Sequence, residues 1–206
     1  MSSLVYWAIT AVILLVCAGL IGQRAKYIGA DGTEKDGLWL GILIDDRQRY
    51  SLTHLQTVLW TLVFLSLFVA IFLARLLGGL SPGEALNMAV PGQILTLVGI
   101  SGGSAVVATV IKTPRTAQIR QKSNPSQFSQ MFMVEEGDAA DKVIDVTRFQ
   151  NFFLTWLAVG AYVAMAATVL AHTAVPAGFP SLSQDLVWLI GISHAAYIGG
   201  KLPQKS

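Results

Sequence analysis

From Leu4 to Ile21 the chain carries no charged residue, and comparable apolar runs are read from Val58 to Leu77, Pro91 to Ile111, Phe152 to Leu170 and Asp185 to Leu202. About 20 apolar residues cross the hydrocarbon of a bilayer. Inside lipid the backbone must satisfy its own hydrogen bonds, so such runs become helices. Only 13% of the 206 residues are charged, against about 25% in soluble domains. There is too little polar surface to cover a water-soluble globule. The sequence therefore predicts an all-α, polytopic membrane helix bundle of about five transmembrane helices.

The connections divide the chain into five parts: an N-terminal helix (1–22), a connection with an interfacial segment (23–50), a first hairpin (51–111), a loop (112–144), and a second hairpin with its tail (145–206). No positive charge precedes the first run, whereas Arg24 and Lys26 follow it. Cleavage of this run as an atypical signal peptide is the alternative to its retention. Thirteen of the fourteen lysines and arginines fall on one side of this topology, and only Arg75 lies on the other. The positive-inside rule then places the N-terminus outside and the C-terminus in the cytoplasm, with an inner membrane of bacterial type as the expected location.

Local signals mark the ends of the elements. Residues 29–33 (GADGT) read as a turn, and residues 38–44 are apolar but too short to span. Ser51 is a candidate N-cap for a helix reaching Leu77, closed by Gly78 and Gly79. Ser81, Pro82 and Glu84 have capping-box spacing with proline at the first helical position, predicting a short helix through Met88. Asp145 or Thr147 starts the next long helix, and Ser181 with Gln184 repeats the capping-box spacing before the last. Trp7, Trp39 and Trp188 fall near interfaces and read as belt residues. Trp60 and Trp156 fall deeper, where they would pack between hairpins.

A sequence repeat adds an architectural expectation. Leu97-Val98-Gly99-Ile100-Ser101 recurs as Leu189-Ile190-Gly191-Ile192-Ser193, an offset of 92, and Thr53-His54-Leu55-Gln56 with Thr61 matches Thr147-Arg148-Phe149-Gln150 with Thr155, an offset of 94. Both matches keep the same order, which predicts two parallel repeated helical hairpins related by an axis along the membrane normal. Thr96, Gly99 and Gly103, and then Gly191, Ala195 and Gly199, are small residues at roughly four-residue steps, the pattern of close helix packing. Ser101, Ser104, Ser193 and His194 are candidates for a polar lining or a sensor, against the plainer role of hydroxyls bonded to their own helix and a neutral histidine bonded to a neighbour.

Asp45, Asp46, Arg47 and Arg49 stand directly before the second helix. They read either as a solvated stem or as a salt-bridged collar at a subunit contact. The loop beyond Lys112 opens basic and turns acidic at Glu135, Glu136, Asp138, Asp141 and Asp145, blocks that are solvated independently or paired. Phe128, Met131, Phe132 and Val134 form a short apolar face suited to resting on the membrane. The one cysteine, Cys17, excludes an intrachain disulfide. The sequence suggests no catalytic constellation, metal site, cofactor or nucleic-acid partner.

The run from Arg47 to Gln56, continued by Leu59-Trp60-Thr61, resembles a segment of uncharacterised bacterial multi-span inner-membrane proteins. The resemblance covers about 15 residues and implies no activity. Function is thus expected to be non-enzymatic: a homo-oligomeric channel or pore-like assembly, or a membrane scaffold or accessory subunit. Its expected partners are the lipid bilayer, copies of itself, and a protein docked on the cytoplasmic loop 112–151.

Overall fold

A computed structural model describes residues 2–29, 31–37, 39–45, 47–96, 99, 125–135 and 139–199. Among the described residues, three helices are long and apolar enough to cross a membrane: α1 (Ser3–Gly22), α2 (Leu52–Leu77) and, after the short α3 (Pro82–Leu86), α4 (Val146–His172). A fourth helix, α5 (Gln184–Gly199), has 16 residues and packs on α4. The expected third span begins with a helical stretch at residues 92–96, and its remainder, apart from residue 99, lies outside the described residues. Three of the five expected spans are thus matched among the described residues.

The caps show why the helices begin where they do. Ser51 accepts from the His54 amide at the start of α2, and Asp145 accepts from the Thr147 and Arg148 amides at the start of α4. These oxygens satisfy donors that a first helical turn leaves free. Ser81 and Glu84 form the capping box of α3, which ends at Leu86 rather than Met88, and its bonds to Ser81 hold the Glu84 carboxyl below its usual range. At α5 the cap differs from expectation. Ser183 Oγ accepts from the Leu186 amide, so the helix starts two residues later than a Ser181 cap would put it.

Polar stitches fix direction and register. Trp7 Nε1 donates to Ser66 Oγ at 2.9 Å, and Thr10 Oγ1 donates to the Ser66 carbonyl at 2.9 Å. Gln56 Nε2 donates to Thr155 Oγ1 at 2.7 Å, and Ser3 Oγ to the Leu170 carbonyl at 2.7 Å. Therefore α2 and α4 run in one direction and α1 runs against both. Such bonds contribute about 0.6–2 kcal/mol each between helices in lipid. Between them the core is apolar, with Leu67, Ala70, Ile71, Ala158, Tyr162 and Ala166 fully buried. Trp60 packs against Phe64 and Tyr162 as expected, but two other tryptophans do not follow the sequence reading. Trp7 is buried rather than in a belt, and Trp156 is exposed.

The all-α expectation also misses a small hairpin. Strands β1 (Lys26–Ile28) and β2 (Glu34–Asp36) pair antiparallel across the 29–33 turn, with Gly32 at φ 73°. A 3-10 turn, Trp39–Leu43, then folds back along the end of α1. Gly19 leaves room for the Trp39 ring, and Gly41 lies directly against the Gly22 carbonyl. A methyl group at Gly41 has nowhere to go. Gly41→Ala is expected to destabilise by about 1–3 kcal/mol in thermal unfolding of the detergent-solubilised protein, while Gly83→Ala, where an added Cβ meets nothing within 4 Å, is expected to be neutral.

Candidate functional site: a buried ion-pair collar

The residues before α2 and α4 converge at one end of the bundle. Asp45 Oδ1 accepts from the Arg47 and Arg49 amides at 3.0 Å, and the Gln48 amide bonds the Asp45 carbonyl. This turn puts Gln48 at φ 61°, a left-handed conformation that costs an L residue about 1–2 kcal/mol. It is closed by an antiparallel bridge between Ile44 and Tyr50. Both arginines on its flanks point inward, and Arg47 also forks onto Asp45 Oδ2 through Nε and Nη2.

A second hairpin-like pairing brings the acids. Met133 bridges Ile144, the Val134 amide bonds the Val143 carbonyl, and the Asp145 amide bonds the Phe132 carbonyl. Glu135 is thereby held between two arginines: Arg47 Nη2 is 3.2 Å from one carboxylate oxygen and Arg148 Nη2 is 2.5 Å from the other. Arg49 pairs with Asp141 at 2.6 Å, and Arg148 Nε with Asp145 at 3.3 Å. The Arg47, Arg49 and Arg148 side chains are 9%, 4% and 3% exposed. Burial works against the charge of Arg47, but Glu135 and Asp45 outweigh it and raise its pKa. Burial pulls the pKa of Arg49 down against the attraction of Asp141. Guanidinium groups stay charged in proteins, so the collar holds three permanent positive charges.

The network corrects two expectations. Asp45, Arg47 and Arg49 are not a solvated stem, because they are largely buried and paired within the chain. Asp46 lies outside the described residues. The acidic block is not independently solvated either, since Glu135 and Asp141 take the arginines of the earlier connection and Asp145 pairs with Arg148. Its basic counterpart at 112–122 is outside the described residues, as are Glu136 and Asp138. The short turn Phe128–Phe132 is also placed differently. Met131 is fully buried beside Leu43, Leu52 and Leu55, and Phe132 packs edge-on to Phe152 at 4.9 Å. Ser126 Oγ donates to the Gln48 carbonyl at 2.5 Å and ties this segment to the collar.

The other candidate residues are not gathered into one place. Thr96 is exposed and donates to its own helix at the Gly92 carbonyl, 2.9 Å away. Gly99 is exposed with open space around it. Gly103, Ser101 and Ser104 lie outside the described residues. Gly191, Ala195 and Gly199 all lie on α5, with Gly191 half-buried and Ala195 exposed. Ser193 and His194 also fall on α5, and their side chains are outside the described set. Among the described residues, no group of three or more His, Cys, Asp or Glu is placed to hold a metal ion.

Arg75, the outlier of the charge count, has a role that sequence reasoning missed. Its guanidinium donates to the carbonyls of Pro176 and Ala177 at 3.1 and 3.0 Å, and to those of Glu84 and Asn87 at 2.8 and 3.2 Å. One fork thus pins both connections at the end opposite the collar, where Ala89 also bridges Gly178. A carbonyl carries no sequence signature, so nothing short of the fold reveals these partners.

No family model matches the chain, and neither a curated protein nor a solved structure is found similar to it.

Two outcomes follow for these cation sites. Glu135→Gln removes a charge that faces two buried guanidinium groups, and breaking such pairs costs about 3–5 kcal/mol. Thermal unfolding is expected to show that loss, while Lys26→Ala at the exposed Lys26–Asp36 pair leaves the midpoint unchanged. Arg75→Lys keeps the charge but not the planar fork. Faster limited proteolysis within residues 82–89 and 173–180, with cleavage elsewhere unaltered, is the expected result.

Proposed function

We propose that the chain is a non-enzymatic, membrane-integral scaffold or accessory subunit that presents a rigid collar and the adjoining loop 112–151 to a partner polypeptide. The observation that carries this reading is the ion-pair network itself. It ties three separate stretches of chain into one body at the end of a bundle whose described interior is mostly apolar. A fixed, charged end over an apolar core suits docking better than conduction through one chain. By the positive-inside rule this end is cytoplasmic, with the N-terminus of α1 outside.

The second reading is a homo-oligomeric channel whose path lies between copies rather than within one. It is favoured by Gly92 and Gly99, where an added Cβ would meet nothing within 4 Å, and by the repeat. Ser51 and Asp145 cap parallel helices at the same offset, 94, as the aligned threonines. The repeat is not carried into the contacts, because Gln56 bonds Thr155 while Gln150 and Thr61 are both exposed. Five spans in two repeated hairpins belong to this proposal.

Native mass spectrometry of the gently solubilised protein separates the two. The scaffold reading expects another polypeptide bound at fixed stoichiometry and lost from the Glu136→Gln, Asp138→Asn double variant. A defined homo-oligomer that conducts in planar bilayers, with conductance altered by Gly99→Leu, overturns it in favour of the channel.

A further inference from the structure

An unbroken apolar stripe runs past the start of α4 on the side away from the collar. Val146 is 73% exposed, Phe149 49%, Phe153 54%, and Trp156 and Leu157 follow. At about 100° per residue these five fall within one arc of the helix, and Arg148 points the other way into the collar. The stripe extends beyond the N-cap as well. Ile144, 62% exposed, stands just before Asp145, the position from which a hydrophobic staple reaches the fourth helical residue, here Phe149. Phe128, also exposed, stands edge-on to Phe132 and Phe152, and Phe132 stands edge-on to Phe149.

Helix length fixes the depth of this stripe. At 1.5 Å per residue α4, with 27 residues, is about 40 Å long. The hydrocarbon core is about 30 Å thick, and about 40–45 Å with both headgroup layers. An upright α4 therefore fills the hydrocarbon and reaches into a headgroup layer at each end. Its first turn bears Val146 and Phe149 at that level, continuous with the outward side of the same helix deeper in the bilayer.

We propose that Ile144, Val146, Phe149 and Phe128 form an interfacial seat in the headgroup layer of the bilayer, and that the ion-pair collar lies at this depth rather than out in the water. The occupant of the patch is the lipid surface. The proposal rests on the reading of α4 as a membrane span. It accounts for aliphatic side chains exposed beside a cluster of seven charges, an arrangement that water would penalise. Ion pairs in this layer are also screened less by salt than pairs in open solvent.

The test uses single cysteines in a Cys17→Ala background, each labelled with a bimane fluorophore, in phosphatidylcholine vesicles. The lipids carry bromine either near the headgroup or near the chain end. The sites are Val146→Cys, Leu157→Cys as the span control and Lys35→Cys on the exposed hairpin as the aqueous control. Val146 is expected to emit blue-shifted light and to be quenched several-fold more by shallow than by deep bromine, while Lys35 is unquenched. If Val146 behaves like Lys35 while Leu157 is quenched, the seat is overturned and the span stands. If Leu157 is unquenched too, both fall. Blue-shifted but unquenched emission at Val146 that reverts to that of Lys35 on raising the lipid-to-protein ratio would assign the patch to a second copy instead.

Discussion

The Glu135 carboxylate, held between Arg47 and Arg148, is the interaction on which the collar end depends. A carboxylate with one arginine on each oxygen joins the connection before α2 to the cap of α4, and its own segment is the third member of the junction. Three guanidinium groups buried to this degree would be intolerable alone, because the cost of stripping water from an ion exceeds what a single pair returns. Together with Asp45, Asp141 and Asp145 they are mutually solvated. Satisfaction of each charge requires the others in place, so the end of the bundle behaves as one cooperative unit.

The opposite end solves a related problem with one cation. Arg75 meets four carbonyls, and the partial negative charges of the backbone replace a carboxylate. Between the two ends, register depends on a few hydrogen bonds, such as Trp7 to Ser66 and Gln56 to Thr155. A helix sliding against its neighbours would leave these groups unsatisfied in an apolar medium. The apolar core supplies close packing but little register of its own, since one aliphatic side chain replaces another at modest cost. Polar contacts therefore set the alignment, and the collar and the Arg75 clamp hold it at each end.

Sequence reading succeeded where the controlling physics is local. Ser51, Asp145 and the Ser81–Glu84 box were legible because a cap acts within four residues of itself. The long helices were legible because an uninterrupted apolar run has few other solutions. It erred at Ser181, where Ser183 offered an equally good cap two residues later, and at Trp7, whose indole finds Ser66 on another helix. The β1–β2 hairpin was read only as a turn. Its strands carry Lys26, Tyr27, Glu34 and Lys35, with no alternation of apolar and polar residues to signal them.

The sequence by itself determined that this chain is mostly helical, that its long apolar runs suit a membrane, and where α2, α3 and α4 are capped. Those properties follow from hydrophobicity and capping, which are set by neighbouring residues. Only the tertiary structure decided that Arg47 and Arg49 are buried, that their counter-ions are Glu135 and Asp141, far along the chain, and that Arg75 binds carbonyls. Charge pairing is set by distance in space. A charge in sequence looks the same whether water or another residue will neutralise it, and the fold makes that choice.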